Sequence, residues 1–165
     1  MNLFRTQYDW VRLTRETLFQ YCETLSPSDY AKKLEGFSGE SILSLHAHVA
    51  GCYQGWLGDR ALGKSLPDIT PESIHNVQEM RELFRKTDEL VYEFLDKFED
   101  NWDHTIEVTF RNGSQADFTA LWLFTHTMTH EFHHKGQIVK IGRQLGYAPP
   151  DTDLVEPMIK NPANH

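Results

Sequence analysis

Four stretches of the chain place apolar residues at alternating steps of three and four, which puts those side chains on one face of an α-helix. The stretches cover about residues 4–25, 38–56, 70–98 and 119–145, with connections of modest length between them. An amphipathic helix must bury its apolar face against other elements. The pattern therefore predicts an all-α fold, a four-helix bundle that forms a single domain over residues 1–165.

Capping and helix-breaking residues mark the predicted ends of these helices. Ser38 is expected to cap the second helix, and Thr70, followed by Pro71, has the composition of the start of the third. Thr119 is expected to cap the fourth helix. Gly146 supplies a left-handed stop at the end of that helix, because glycine adopts positive φ without a steric cost.

A short segment between the third and fourth helices has the period of a β-strand. Residues 105–110 alternate apolar and polar side chains, with Ile106 and Val108 on one face. Asn112 and Gly113 follow, a pair that tolerates the positive φ of a tight hairpin turn. We expect a small β-hairpin here, followed directly by the fourth helix.

Charge and composition argue against several classes of partner. Lysine and arginine number 16 against 24 aspartate and glutamate, a formal charge of −8, and no basic stripe is present to follow a phosphate backbone. The longest apolar run, residues 120–124, is far shorter than a membrane span. The N-terminus lacks the apolar core of a signal peptide. We therefore expect a cytoplasmic protein that binds neither nucleic acid nor membrane, with Cys22 and Cys52 as reduced, packed thiols.

The nine histidines are concentrated on the fourth helix. Four of them, including His126 and His133, fall within residues 126–134. On a helical wheel His130 and His134 lie within an arc of roughly 60° that also holds the apolar residues of that helix. Side chains at i and i+4 have Cβ atoms about 6 Å apart, which lets two imidazoles converge on one cation. The pair predicts part of a metal site, whereas His133 is expected at the rim.

The third ligand should come from the second helix, where two histidines qualify. His46 lies about 60° from the centre of the apolar stripe, and His48 lies about 100° away on the other side. Periodicity thus slightly favours His46 as the inward residue without deciding between the two. Three neutral imidazoles and no thiolate suit Zn, Ni, Fe or Cu, and leave a coordination position open for water or substrate.

Residues 130–134 also spell H-E-x-x-H, the motif in which a glutamate serves a zinc peptidase as general base. The extended peptidase pattern is absent, because Gln137 and Lys140 stand where glycine and histidine would be needed. Glu156 is a distant alternative ligand. We expect Glu131 to be an exposed helix residue, which leaves the metallopeptidase as the weaker reading.

Three segments together resemble the DinB superfamily of bacterial metal-binding four-helix bundles. They are SILSLHAHVAG around His48, THEFHHKGQI from residue 129 and LGYAPPDTDL from residue 145. The family signature is one histidine on the second helix and an H-x-x-x-H pair on the fourth, often followed by [RK]-G-Q-[IV]. Those positions hold His48, His130, His134 and the tetrapeptide KGQI here.

The resemblance implies a divalent ion (Zn, Ni or Fe) held by His48, His130 and His134. It also implies that the protein forms a homodimer. It also implies a small-molecule substrate and an enzyme, a transferase or else an isomerase or hydrolase, that uses a low-molecular-weight thiol such as bacillithiol or mycothiol. His126 and Gln137 are the residues expected to contact the cofactor. Simple packing is the alternative for His126, and a local hydrogen bond is the alternative for Gln137.

A second function is compatible with the same residues. A non-enzymatic, stress-associated metal-binding bundle would carry the same three histidines without a reaction, since a shared fold does not fix the chemistry. Cys52, four residues after His48, is expected to pack in the bundle, with a redox or ligand role as the alternative. The catalytic residues of any reaction are not indicated by the sequence.

Overall fold

The four long helices expected from the apolar spacing are present in the structure, a computed structural model that describes residues 2–154. A short additional helix follows the first one. The helices are α1 (Leu3–Cys22), α2 (Pro27–Tyr30), α3 (Ile42–Tyr53), α4 (Val77–Lys97) and α5 (Ala120–Gln144). The predicted bundle with a hairpin before its last helix is confirmed.

The long helices form a ring in which α1 and α3 each contact both α4 and α5. Aromatic and aliphatic side chains from all four fill the centre. The largest fully buried ones on the long helices include Tyr8, Leu18, Ile42, Tyr53, Met80, Phe84, Phe94, Leu95, Leu123 and Phe124. None of the helices within residues 2–154 is both long and apolar enough to cross a membrane.

The predicted start of the second helix was wrong by three residues. Ser41 caps α3, because its hydroxyl accepts a hydrogen bond from the Ser44 backbone N–H while the Ser44 side chain accepts one from the Ser41 N–H. This reciprocal pair satisfies two of the amides that a helix start leaves without a partner. Ser38 instead has a left-handed φ of 55° in the loop before the helix.

The predicted start of the third helix was also wrong. Thr70 begins only a single 3-10 turn over Pro71–Ser73. Helix α4 begins at Val77, where the Asn76 side chain accepts a hydrogen bond from the Glu79 backbone N–H. Thr70 and Pro71 correctly indicated a helical turn, but that turn ends at Ser73. Asparagine caps a helix equally well, and the long helix α4 starts from the Asn76 cap.

Helix α3 does not end at a loop as expected. It continues past the predicted end near residue 56 as a π-helical segment, Gln54–Ala61. This wider turn carries Trp56 towards the hairpin, where its ring lies 5.5 Å from that of Phe118 and 5.7 Å from that of Trp122. Through Trp56 the π-helical segment thus packs the end of α3 against the hairpin and the start of α5.

The hairpin consists of β1 (Thr105–Thr109) and β2 (Gln115–Thr119), paired antiparallel. Ile106 and Val108 are buried, as their alternation predicted. Thr119 ends β2 and caps α5, since its hydroxyl accepts a hydrogen bond from the backbone N–H three residues on. The strand thus sets where α5 begins and fixes the register of its histidines.

The C-terminal part of α5 lies against α1 at very short range. A Cβ atom added to Gly142 would lie 1.9 Å from the hydroxyl oxygen of Tyr21, so any larger residue would force the Tyr21 ring to move. Gly146 follows the helix with φ of 94°, the left-handed stop expected from the sequence.

A buried ion network links α1, α4 and α5 inside the bundle. The Arg15 guanidinium donates to both carboxylate oxygens of Glu131, at 2.9 and 2.8 Å, and to Asp88 at 2.7 Å. Lys135 lies 3.2 Å from Glu131, and the Tyr53 hydroxyl donates to Glu131 at 2.7 Å. The prediction that Glu131 is exposed is therefore wrong, because only 2% of it is accessible to solvent.

The buried stripe of α5 explains this error. Its centre runs through Thr127, Glu131 and Lys135, which are all buried, whereas His130 is only half-buried. The helical wheel counted only apolar residues as buried and so omitted these polar side chains. The predicted buried face was therefore placed too far towards the histidines. Burial alone raises the pKa of Glu131, but the positive charges of Arg15 and Lys135 outweigh it and hold the pKa below its usual range.

His46 is buried between α1, α2 and α4 and is a source of acid sensitivity. Its ring lies 5.2 Å from that of Phe19, its Nδ1 is 3.2 Å from the Tyr30 hydroxyl, and its Nε2 has no partner among the described residues. Burial disfavours the charged ring and lowers the pKa of His46 to about 3. The neutral form is the one that fits this environment.

We expect His46 to make folding pH-dependent. An unfolded histidine titrates near pH 6.5, so the stabilisation is complete above that pH and is lost as the pH falls towards 3. At pH 5 the loss is about 2 kcal/mol in the free energy of unfolding. Urea unfolding of chelator-treated protein at pH 7.5 and 5 should show this difference, and His46→Phe should reduce it. An equal pH dependence in both proteins contradicts the assignment.

Candidate metal centre

Three histidines from two helices converge at the edge of the bundle. Helix α3 provides His48, and α5 provides His130 and His134 one turn apart. Each offers one ring nitrogen, and the three nitrogens lie within 4.8 Å of one another. The Nε2 atoms of His48 and His130 are 3.0 Å apart. We refer to these three residues as the histidine triad.

The triad has the dimensions of a metal site. Two zinc–nitrogen bonds of 2.0–2.1 Å in a tetrahedral arrangement place their nitrogens about 3.3 Å apart. Burial and, to a smaller extent, the neighbouring histidines together lower the pKa of His130 to about 4. Burial also lowers the pKa of His134. Both rings are therefore neutral at physiological pH, with a lone pair available for a cation.

Gln137 fixes the orientation of His134. The Gln137 side-chain oxygen lies 2.6 Å from His134 Nδ1. Because an amide oxygen only accepts hydrogen bonds, Nδ1 carries the proton and the free lone pair of the ring lies on Nε2. The local hydrogen bond considered for Gln137 is present, and the amide nitrogen lies 3.3 Å from the Nε2 atom of His133. A direct contact between Gln137 and a cofactor stays a prediction.

We expect Gln137→Leu to lower the affinity for Zn²⁺ by about tenfold, because partners that orient a ligating imidazole contribute about that much. A competition titration against a fluorescent chelator measures this change. Gln144→Leu, at the exposed end of the same helix, is the matched control and should bind like the wild type. Equal affinity in the two variants would show that the hydrogen bond has no part in binding.

His46 and His48 point to different surroundings although they are two residues apart. His46 is 2% exposed in the core, whereas the triad member His48 is exposed. Periodicity favoured His46 as the inward residue, and this is correct. The triad lies at the rim between α3 and α5, however, so the inward histidine is not the one that meets His130 and His134.

A groove of about 580 Å³ borders the triad on one side. The loop before α3 forms one wall, and the exposed side of α5 forms the other. His48 and His134 reach into the groove together with His133, which lies at the rim as expected. The groove gives a small molecule access to the triad. Its other lining residues include Phe37, Ser38, Glu40, Leu45, Gln137 and Lys140.

His126 lies on the opposite side of the triad. Its ring stacks on Trp122 at 4.9 Å with an interplanar angle of 4°, and it lies 5.2 Å from the ring of Trp56. The half-buried Cys52 lies close by on α3. Burial raises the pKa of the Cys52 thiol to about 12, so the free thiol is protonated at neutral pH and is a poor nucleophile.

The H-E-x-x-H string has only part of a peptidase geometry. His130 and His134 do converge, but the Glu131 carboxylate is buried among Arg15, Lys135 and Tyr53. A general base must reach a water at the metal. Glu131 is held inside the bundle as an ion-pair partner, which argues against this role. Glu156, the distant alternative ligand, lies outside the described residues.

Sequence reasoning missed two sets of residues around the triad. The groove wall from Phe37 to Glu40 lies in a loop, where no periodicity indicates which side chains face a site. The ion network was also missed, although Arg15 stands on the apolar stripe of α1 between Val11 and Leu18. A charged residue at a position of the apolar stripe indicates a buried ion pair, and this signal was available in the sequence.

The fold and the triad together define a helical-bundle protein with a candidate metal centre. A profile of the DinB family matches residues 1–161. The chain belongs to the DinB family, as the three sequence segments indicated. Comparison with curated proteins gives no match.

Proposed function

We propose that the protein is a metal-dependent enzyme that transfers a low-molecular-weight thiol, such as bacillithiol or mycothiol, to an electrophilic small molecule. The convergence of three imidazole nitrogens beside an open groove is the observation that carries this proposal. His48, His130 and His134 would hold a divalent ion, for which Zn, Ni and Fe are the candidates. When bound, the ion would stabilise the thiolate form of a thiol at neutral pH.

The residues around the triad support this chemistry in three ways. Gln137 holds one ligand ring in the orientation needed for binding. The groove leaves space on the side of His48 and His134 for a substrate. The thiol of Cys52 is protonated, which leaves the reacting sulfur to an external molecule. In the transfer, the thiol proton passes to solvent, the sulfur lone pair forms the new S–C bond, and the leaving group departs with its bonding electrons.

The test is conjugation of bacillithiol, mycothiol and glutathione to a panel of electrophiles by protein loaded with Zn²⁺ or Ni²⁺. We expect acceleration above the rate with metal and buffer, and loss of that acceleration in His134→Ala. His75→Ala, a change at an exposed histidine that belongs neither to the triad nor to the groove lining, is the control. A protein with stoichiometric metal and no acceleration for any thiol would favour the non-enzymatic metal-binding bundle. Sedimentation of the same sample tests the proposed homodimer.

A further inference from the structure

A second group of ligating side chains lies next to the triad and shares one residue with it. Cys52, His126 and His130 offer a sulfur and two ring nitrogens that all lie within 4.8 Å of one another. Helix α3 supplies the thiol, and α5 supplies both imidazoles from positions i and i+4. The arrangement parallels that of the triad, with a cysteine in place of the histidine on α3.

The His126 ring of this group is held in place by aromatic neighbours. His126 is stacked parallel to Trp122 and is also contacted by Trp56 from the π-helical segment. The stack restricts rotation of the His126 ring, whose centroid lies 5.6 Å from that of His130. All three ligating residues are half-buried, so water has limited access to the space between them.

The chemistry of this group differs from that of the triad. A thiolate is a soft ligand and favours Zn²⁺, Cd²⁺ or Cu⁺ over harder ions, whereas three imidazoles accept a broader set. A metal displaces the thiol proton outright, and the proton passes to solvent. We propose that Cys52, His126 and His130 form a second metal site, selective for thiophilic ions and distinct from the triad.

The shared histidine couples the two sites. His130 belongs to both groups, so the two sites share one imidazole. Metal binding at this second site does not depend on the proposed transferase function, so it can be measured whatever reaction the protein catalyses.

Cadmium is the probe for this second site, because a bond between sulfur and Cd²⁺ gives an ultraviolet charge-transfer band that imidazole ligation does not. The full chain, stripped of metal with a chelator, is titrated with Cd²⁺. We expect the band in the wild type and its loss in Cys52→Ser. Cys22→Ser is the matched control, since Cys22 is buried on α1 outside the group, and it should keep the band. Circular dichroism verifies that each variant folds.

Two histidine variants distinguish this second site from the triad. His126→Gln should lower the Cd²⁺ affinity reported by the band by about tenfold or more, while His134→Ala should leave it within about threefold. Absence of the band in the wild type, or its persistence in Cys52→Ser, overturns the proposal. So does an unchanged affinity in His126→Gln. Loss of the band in His134→Ala would show that the thiol serves the triad instead.

Discussion

Replacing Glu131 with leucine is expected to lower the free energy of unfolding by about 3–5 kcal/mol, the cost of breaking a buried ion pair from one side. The change leaves the Arg15 guanidinium without two of its hydrogen bonds and the Lys135 ammonium without its carboxylate. Both cations are nearly inaccessible to solvent, at 3% and 2% exposure, so water cannot replace the lost partner.

Urea unfolding at pH 7.5 measures this loss, and two comparisons make it specific. Glu82→Leu removes an exposed carboxylate paired with Arg85 and should cost much less than Glu131→Leu, because water screens an exposed pair and solvates the cation that is left. The double variant Glu131→Leu, Lys135→Met removes one unpaired cation and should recover part of the loss. A Glu131 variant as stable as the wild type, with a peptidase activity abolished by the change, would restore the peptidase reading.

The second large effect is expected at His48. Structural zinc sites bind with about 10–16 kcal/mol, so loss of one protein ligand should weaken Zn²⁺ binding on the order of 100- to 1,000-fold. His48→Ala tests this with little risk to the fold, because the side chain is exposed. Competition with a chelator of known affinity, on protein first stripped of metal, provides the measurement.

His133→Ala and His46→Phe are the matched controls for His48→Ala. His133 is exposed and lies directly beside His134, while His46 lies two residues before His48 in the core. Both variants should bind Zn²⁺ within about threefold of the wild type, since neither residue belongs to the triad. Strong loss in His46→Phe with normal binding in His48→Ala would mean that the α3 ligand was misassigned.

The bundle could be predicted from the sequence because its core residues recur at regular intervals along the chain. Apolar residues at steps of three and four define the long helices, and the alternation around Ile106 and Val108 defines the hairpin. Helix starts were predicted less well, since Ser38, Ser41, Thr70 and Asn76 are all competent caps. Tertiary packing decides which of several local signals is used.

The triad was predicted in part. The i,i+4 pair on α5 followed from spacing, but the choice between His46 and His48 rested on the family resemblance. Periodicity indicates which side of a helix is buried, whereas a ligand site at the rim of the bundle takes residues from the boundary of that side. Glu131 was predicted to be exposed because the helical wheel relies on apolar residues, and a buried charge does not fit that pattern.

X-ray absorption spectroscopy of the Zn²⁺-loaded Cys52→Ser variant reports whether the three histidines of the triad ligate one ion, because that variant retains the triad and lacks the thiol. We expect nitrogen scattering at about 2.0–2.1 Å with the outer-shell pattern of three imidazoles. His48→Ala in the same background should reduce that pattern to two. A zinc surrounded by oxygen with one imidazole or none would show that the triad does not hold the metal.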